Sequence, residues 1–256
     1  VLTATIKAGT VKDTLKAIKD FVNPDDVITF KTTDTSADAS ELVALADKVD
    51  DFDASSVKTI TAKSTTNVAL ALAIAEDAAV TITGNVEVAD IKAILGATTG
   101  KVTATLVAGE AAGIAADLAD NEVNAINVTV NGDDATAGNL LAIKDSTSGK
   151  ITVSAKAVEG SFDDLKELYI TSKGKFTALG DENVTITGTV SAADANIIAK
   201  AVNGKVTATS IEADTAAALV ASLKDAKATD ALTLNVNGES AKASELNVLD
   251  GKTSGT

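Results

Sequence analysis

The chain has 256 residues with 36 acidic and 22 basic side chains, a net charge of −14, and 45% hydrophobic but only 2% aromatic residues. It contains no Cys, His, Met, Trp, Arg or Gln. These absences exclude Ser/His and Cys/His nucleophiles, zinc, haem or iron–sulfur ligation and disulfides, so we expect no enzyme and no cofactor.

Two classes of partner are disfavoured on the same grounds. An acidic surface without Arg repels phosphate backbones, so we expect no nucleic acid. The six aromatic residues are too scattered for a base-stacking platform and are interpreted as core residues: Phe21, Phe30, Phe52, Phe162, Tyr169 and Phe176. The longest uninterrupted apolar run, residues 68–75, is far shorter than the ~20 residues of a membrane span, so no span is predicted.

Short β-branched segments recur along the chain about every 25 residues. In chain order they begin at Leu2, Val27, Val57, Val80, Val102, Ile126, Ile151, Val184, Val206 and Leu232. Most alternate between apolar and polar residues, as strands with one buried face do. Each is therefore predicted to be one strand of a repeat.

The segments between these strands are rich in Ala, Leu and Ile at helical spacing, as in residues 192–201 and 216–223. Several open with Ser or Thr followed three residues later by Asp: Thr10 with Asp13, Ser161 with Asp164, and Ser191 with Asp194. This spacing is typical of helix N-caps, and it predicts a structural rather than a catalytic role for these acids.

The repeats fall into four classes that define a longer period. Class one begins at Val80 and Val184, 104 residues apart; class two begins at Leu2, Val102 and Val206; class three at Val27, Ile126 and Leu232; class four at Val57 and Ile151. Four repeats make a module of about a hundred residues, and residues 80–183 are one full module. Both termini fall inside the pattern, so we expect residues 1–256 to be a single repeat domain cut from a longer array.

A repeat with one strand and one helix cannot bury its own apolar face and must stack on its neighbours. The predicted fold is therefore α/β: a strand–helix solenoid of about ten coils with one parallel sheet. It is like a leucine-rich repeat in architecture only, because the Leu-x-x-Leu-x-Leu pattern is absent.

Several motifs carry a resemblance at the level of sequence. They are Val-Thr-Ile-Thr-Gly at Val80 and Val184, Val-Thr-Ala-Thr at Val102 and Val206, and Glu-Leu-Asn-Val-Leu-Asp-Gly-Lys-Thr-Ser-Gly-Thr at 245–256. Together they resemble the repeat regions of giant exported bacterial cell-surface proteins of the marine cyanobacterial type, S-layer-like or adhesive. The resemblance implies a secreted, structural or adhesive component of the cell surface, and it brings no catalytic residues.

Strand alternation places threonines on the solvent side of the predicted sheet. The candidate contact face comprises Thr3, Thr5, Thr81, Thr83, Thr103, Thr105, Thr185, Thr187, Thr207 and Thr209. Stacking is expected to align such residues in two ladders. The ladders are explained by the high β-propensity of Thr, or they form a lattice that meets a neighbouring solenoid, a polysaccharide or ice. Lys31, Asn127 and Asn235 interrupt the pattern, which counts most against ice.

Acid-rich turns raise calcium as an alternative ligand. They are Asp25-Asp26, Asp50-Asp51 with Asp53, Asp133-Asp134 and Asp181-Glu182. Neither the EF-hand loop nor the Gly-Gly-x-Gly-x-Asp nonapeptide is present, which favours solvated turn acids over a calcium site.

The sequence thus favours a non-enzymatic structural repeat segment of a large, secreted bacterial surface protein, with neighbouring repeats as its partners. The alternative is an adhesin or binding module. In that case the threonine face would hold cell-envelope polysaccharide or other copies, or the acidic turns would hold calcium.

Overall fold

A computed structural model describes residues 1–18, 25–118, 124–238 and 240–252. Fifteen strands lie in these residues: β1 Thr3–Gly9, β2 Val27–Thr32, β3 Ser36–Asp38, β4 Asp51–Asp53, β5 Thr59–Ala62, β6 Ala79–Val86, β7 Val102–Leu106, β8 Ala125–Val130, β9 Asp134–Thr136, β10 Ile151–Val153, β11 Ala157–Gly160, β12 Phe176–Thr177, β13 Asn183–Val190, β14 Val206–Ile211 and β15 Ala231–Leu232.

The same residues hold ten α-helices: α1 Val11–Ala17, α2 Ala39–Ala46, α3 Val68–Ile74, α4 Val88–Leu95, α5 Ala111–Leu118, α6 Ala137–Ser146, α7 Phe162–Lys166, α8 Ala192–Ala201, α9 Ala216–Ser222 and α10 Ala243–Asp250. A π-helical turn, Glu167–Thr171, and a 3-10 turn, Lys173–Lys175, follow α7. No helix in the described ranges is both long and apolar enough to cross a bilayer.

The predicted alternation of strand and helix is confirmed. Each of the ten predicted strand starts lies within two residues of an observed strand start, and an α-helix precedes the next predicted strand in every case. Helix α8 spans the predicted residues, and α9 ends one residue earlier than predicted.

The three predicted N-caps are also confirmed. The hydroxyl oxygens of Thr10, Ser161 and Ser191 accept hydrogen bonds of 3.1–3.2 Å from the backbone N–H groups of Asp13, Asp164 and Asp194. Each hydroxyl in turn donates to the carboxylate of that Asp, at 2.7–2.8 Å. These acids therefore support helix starts, where free amides need acceptors and the dipole favours negative charge.

The described chain divides into two compact units. The first comprises residues 1–107, 120–128 and 147–149, and the second 108–119, 129–146 and 150–256, apart from the residues not described. In the first unit, strands pair in the orders β1-β2-β4 and β3-β5-β6-β7-β8. In the second, they pair as β9-β11-β13-β14-β15 and β10-β12. Every one of these strand pairs is parallel.

The prediction of one parallel sheet is wrong, because the first unit alone holds two. The class-three repeat at Val27 contributes β2, β3 and β4, and the class-four repeat at Val57 contributes β5. Strand β4 pairs with β2, at Phe30 and Phe52, whereas β5 pairs with β3, at Ala37 and Ile60. Residues 27–62 thus contribute strands to two different sheets.

The core follows the predicted alternation. The inward strand residues are all buried: Val80, Ile82, Val102, Val128, Val153, Ile186 and Val206. Of the aromatic residues, Phe30, Tyr169 and Phe176 are buried and Phe52 and Phe162 are half-buried, whereas Phe21 lies outside the described residues.

Consecutive helices are in contact within each unit. Helices α1 to α4 contact one another in chain order in the first unit, and α5 to α10 do so in the second. Within each unit, neighbouring repeats therefore pack against one another through their helices as well as their strands.

Candidate contact surface

The ten threonines of the candidate contact face divide equally between exposed and half-buried positions. Thr3, Thr5, Thr83, Thr187 and Thr209 are exposed, and the other five, Thr81, Thr103, Thr105, Thr185 and Thr207, are half-buried. Their apolar neighbours along β6, β7, β13 and β14 are buried. The strands therefore present hydroxyl and methyl groups outward, as the period of two requires.

Strand register aligns some of these threonines in rows. In the first unit, Thr61 pairs with Thr81 and Thr81 with Thr103, so three threonines follow one another on β5, β6 and β7. Asp38 and Ala125 bound this row. In the second unit, Thr185 pairs with Thr207, and Glu159 and Ala231 bound that shorter row. Neighbours in a row lie about 4.8 Å apart along the sheet.

A second uninterrupted ladder does not form. The register shifts between Thr81 and Asn85, so Thr105 pairs with Asn85 and Asn127 instead of Thr83. The register also shifts between Ile186 and Thr189, by one residue instead of two. The prediction of two aligned ladders is therefore wrong.

The cause of the shift is the glycine of Val-Thr-Ile-Thr-Gly. Gly188 has a φ of +79°, which side-chain-bearing residues rarely adopt. A Cβ on Gly84 would overlap the carbonyl oxygen of Lys63 on the preceding repeat. Both class-one strands thus bulge at the residue that follows the second threonine.

Polar contacts further break the regularity of the face. Thr61 and Thr83 donate to the carbonyl oxygens of Ala37 and Ala62 at 3.4 and 3.3 Å. The amide of Asn127 donates to Thr105 Oγ1 at 3.2 Å. Lattice-like matching needs long rows of free hydroxyls, whereas the described strands offer rows of two or three threonines that end at a carboxylate on one side and at Ala on the other.

An ion pair lies where Lys31 interrupts the threonine pattern. Lys31 Nζ and Asp53 Oδ2 are 2.5 Å apart on the paired strands β2 and β4. Hydrogen bonding to Lys31, and then to Ser55, holds the pKa of the Asp53 carboxyl well below its usual range. In the second unit, Lys156 and Asp133 form a similar exposed pair at 2.6 Å, and Lys156 lowers the pKa of Asp133.

Acid-rich turns accept hydrogen bonds from a neighbouring strand or turn. Asp26 Oδ1 accepts from the N–H of Leu2 at 2.6 Å, and Asp50 Oδ2 accepts from that of Ile28 at 2.7 Å. Asp181 Oδ1 accepts from the amide of Asn203 at 2.7 Å. Within the described ranges, no group of three or more acidic residues could hold a metal ion.

A repeated connector lies directly before each class-three strand, at Asp26, Asn124 and Asp230. In each case the Oδ1 atom accepts from the backbone N–H of the first apolar residue of the preceding class-two repeat. These donors are Leu2, Val102 and Val206, at 2.6, 2.7 and 2.8 Å. Asn124 and Asp230 are buried. Sequence reasoning missed this role, although aligning the three class-three repeats shows an Asp or Asn at this position every time.

Close backbone contacts accompany these connectors. A Cβ on Gly100, Gly149 or Gly204 would overlap the carbonyl oxygen of Ala78, Ile126 or Glu182, which lies about one repeat length earlier in the chain. All three glycines occupy the turn directly before Lys and the next strand. Only glycine lets successive turns approach this closely.

Two surface clefts lie in the first unit. One is lined by Ala69, Leu72, Ala73, Glu76, Asp77, Gly96, Ala97, Thr98 and Thr99. The other is lined by Asp38, Ala39, Ser40, Glu41, Ala62, Lys63, Ser64, Thr66 and Asn67. Asp77 accepts from Thr99 Oγ1, and Asp38 accepts from the first amides of α2, so both carboxylates are engaged structurally.

The buried polar pair of the second unit is closed to solvent. Tyr169 OH donates to Glu182 Oε2 at 3.3 Å, and Glu182 also accepts from the N–H of Gly180 at 2.8 Å. Tyr169 is 1% and Glu182 5% exposed. Burial, with the nearby Glu182 charge, raises the pKa of Tyr169 strongly.

Comparison with known proteins adds no relative: no protein-family model matches the chain, and neither a curated protein nor a solved structure is significantly similar to it.

Proposed function

We propose that the chain is a non-enzymatic structural segment of a large, secreted cell-surface protein, built as a strand–helix solenoid. The observation that carries the proposal is the connector that recurs before each class-three strand, at Asp26, Asn124 and Asp230. In this interpretation the same hydrogen bond joins the start of each class-two repeat to the start of the class-three repeat that follows it.

The placement of the chain's buried polar groups supports this proposal. Thr147, which precedes the class-four strand β10, accepts from the N–H of Ile126 at 2.8 Å and is buried. The Lys227 ammonium donates to the carbonyls of Val202 and Gly204 at 2.9 and 2.8 Å. These side chains satisfy backbone groups that lie about one repeat length earlier in the chain, which is what a stacked array needs.

Placement at the cell surface rests on sequence. The chain lacks Cys, carries a net charge of −14 and resembles the repeat regions of exported bacterial surface proteins. Antibody labelling of intact source cells tests it: labelling without permeabilisation is expected, and a signal seen only after lysis would contradict it.

The stacked architecture predicts that one whole module is removable. Deleting residues 80–183 joins Ala79 to Val184 and keeps the class order, because a class-four repeat is again followed by a class-one repeat. The shorter chain is expected to fold, since stability in such an array is a sum of repeat and neighbour terms.

The matched control is a deletion of similar length begun in the middle of a repeat, residues 92–183, which joins Ile91 inside helix α4 directly to Val184 of strand β13. Circular dichroism and a cooperative melt should show a folded chain for the first variant and not for the second. Loss of folding in both would contradict the solenoid.

The second candidate function is adhesion through the threonine face. The row of Thr61, Thr81 and Thr103 favours it, because three neighbouring strands present the same side chain to solvent. In this role the face would hold cell-envelope polysaccharide or another copy, and the last experiment of the Discussion tests it.

A further inference from the structure

The tripeptide Val-Asn-Gly occurs three times in the chain. Asn131 and Asn237 occupy the same position in two class-three repeats, whereas Asn203 lies in the turn before a class-two strand. An asparagine that precedes glycine loses its side-chain amide more readily than others, because glycine has no side chain to hinder attack by its nitrogen. The fold therefore decides which of these three chemically similar sites react.

The reaction needs no partner except water. The backbone nitrogen of the glycine attacks Cγ of the asparagine. A new N–Cγ bond forms, the Cγ–Nδ2 bond breaks, and ammonia leaves with the proton of the attacking nitrogen. Water then opens the resulting five-membered succinimide at either carbonyl, which gives aspartate or isoaspartate. The glycine nitrogen must reach the side chain, so the rate depends on how freely the turn can move.

The turn at Asn131 leaves this freedom. Asn131 is exposed, and its side chain makes no hydrogen bond within the described residues. Gly132 has a φ of +111°, and a Cβ on it would meet the flexible side chain of Glu110 at 3.6 Å, which is an ordinary contact. Side-chain and backbone atoms around this dipeptide are therefore loosely packed.

The turn at Asn237 repeats this geometry. Asn237 is exposed, and Gly238 also has a φ of +111°. A Cβ on Gly238 would meet Thr215 Cγ2 at 3.7 Å. The class-three repeat at Val27 has Thr33 and Asp34 at these two positions, so it does not offer the reaction. Two of the three class-three repeats thus build the same open Asn-Gly turn.

The turn at Asn203 is held on both sides of the dipeptide. Asn203 Nδ2 donates to Asp181 Oδ1 at 2.7 Å, and the Lys227 ammonium donates to the carbonyl of Gly204 at 2.8 Å. A Cβ on Gly204 would overlap the carbonyl oxygen of Glu182, so its backbone packs directly against another backbone segment. Closing the succinimide ring here requires that these contacts break first.

One backbone bond is common to all three sites and does not distinguish them. Asn131, Asn203 and Asn237 each donate their own N–H to a carbonyl earlier in the chain, at 2.6–2.9 Å. The difference therefore lies in the side-chain amide and in the glycine, which are the two groups that react.

We propose that Asn131 and Asn237 are modification sites, at which the class-three turns convert spontaneously to aspartate and isoaspartate, whereas Asn203 is protected by its contacts. Each conversion replaces a neutral amide by a carboxylate and makes the surface more acidic. At Asn131 the new charge lies in the turn that carries Asp133, which pairs with Lys156 at 2.6 Å. The inference is independent of the proposed structural function, because it involves these turns alone.

The experiment follows the three asparagines of the whole folded chain during incubation at pH 8. Samples are digested at low pH, where the reaction is slow, and peptide mass spectrometry measures the conversion of amide to acid at each site. Conversion at Asn131 and Asn237 should be at least about tenfold faster than at Asn203. Equal rates at the three sites, or the fastest rate at Asn203, would overturn the proposal.

The same chain in urea is the matched control, because its three Val-Asn-Gly sequences then differ mainly in the residue that follows each of them. All three sites should convert at similar rates in urea. If Asn203 stays slow there, the sequence and not the fold protects it, and the proposal is wrong. Conversion of Asn131 and Asn237 in urea but not in the folded chain would also contradict it.

One variant tests the cause of the protection. Asp181→Ala removes the acceptor of the Asn203 amide at an exposed position. Conversion at Asn203 should become at least about twofold faster, since one hydrogen bond no longer holds the amide. Asn131 provides the internal reference and should convert at the parent's rate. An unchanged rate at Asn203 would overturn the assigned protection.

Discussion

The class-two repeats at Leu2 and at Val102 carry nearly the same strand, Leu-Thr-Ala-Thr and Val-Thr-Ala-Thr, but differ in burial. Val102 is completely buried between β6 and β8, whereas Leu2, directly before β1, is 44% exposed, and among the described strands β1 pairs with β2 alone. The same residues therefore form the same element in both places. What differs is the neighbouring repeat, so core formation in this chain is a property of repeat pairs.

The largest expected effect comes from placing a charge at these two matched positions. Val102→Asp puts a carboxylate between paired strands with no partner and should lower the free energy of unfolding by about 4 kcal/mol or more. Leu2→Asp should cost less than about 1 kcal/mol, because water still reaches that site. Urea unfolding of both variants measures the difference, and equal losses would contradict the comparison.

The alternation at these strands is what made the ten main strands predictable. β-Branched residues at every second position determine both the strand and its buried face, as in Val80 and Ile82. Strands such as β3, with the sequence Ser-Ala-Asp, carry no such signal. They exist because β5 pairs with them, and that tertiary contact leaves no trace in local sequence.

The contact face was predictable in its direction and not in its register. Whether Thr83 or Asn85 lies opposite Thr105 depends on a bulge at Gly84, which slides the pairing by two residues. The connectors at Asn124 and Asp230 were also missed, because one accepted hydrogen bond makes no pattern within a single repeat.

The second prediction compares a buried connector with an exposed one. Asp230 is fully buried and accepts from the N–H groups of Val206 and Lys227, both at 2.8 Å. Asp230→Ala should cost about 2–3 kcal/mol, because it leaves buried donors without partners. Asp26→Ala removes the matching bond at half-buried Asp26 and should cost about 0.5 kcal/mol, since water replaces the carboxylate.

Thermal and urea unfolding of the two alanine variants check this prediction. Asp230→Asn is the isosteric control, because Asn124 makes the same bond to Val102. It should recover part of the lost stability. A larger loss at Asp26 than at Asp230 would show that burial does not set the strength of the connector.

The third prediction concerns the buried phenol of Tyr169, an interior group without a counterpart in the other repeats. Burial raises the pKa of Tyr169, so its stabilising contribution is complete below the unfolded pKa of about 10 and is lost as the pH rises above it. Relative to Tyr169→Phe, the parent should lose about 1.4 kcal/mol of unfolding free energy per pH unit above that point.

Urea unfolding at pH 9, 10 and 11 measures the slope. Tyr169 is the one tyrosine of the chain, so absorbance of the phenolate reports its ionisation directly. The folded parent should show no phenolate at pH 10.5. A normal titration in the folded state would mean that solvent reaches this pair.

The smallest effect on stability is expected on the threonine face, where binding is the quantity that matters. Thr103→Lys with Thr207→Lys should change the free energy of unfolding by no more than about 0.5 kcal/mol, because both side chains project toward solvent. Thr3→Lys is the matched control: it occupies the same position of a class-two strand but pairs with Val27, outside any threonine row. If the rows bind cell-envelope polysaccharide or another copy, the double variant should lose retention on that polysaccharide, or self-association, while Thr3→Lys keeps it. If the face is only a solvated surface, all three proteins should behave alike.

Thermal hysteresis is expected in none of them, because rows of two or three hydroxyls bounded by Asp38 and Glu159 do not extend into a lattice. Hysteresis in the parent that the double variant lacks would make ice the ligand of this face.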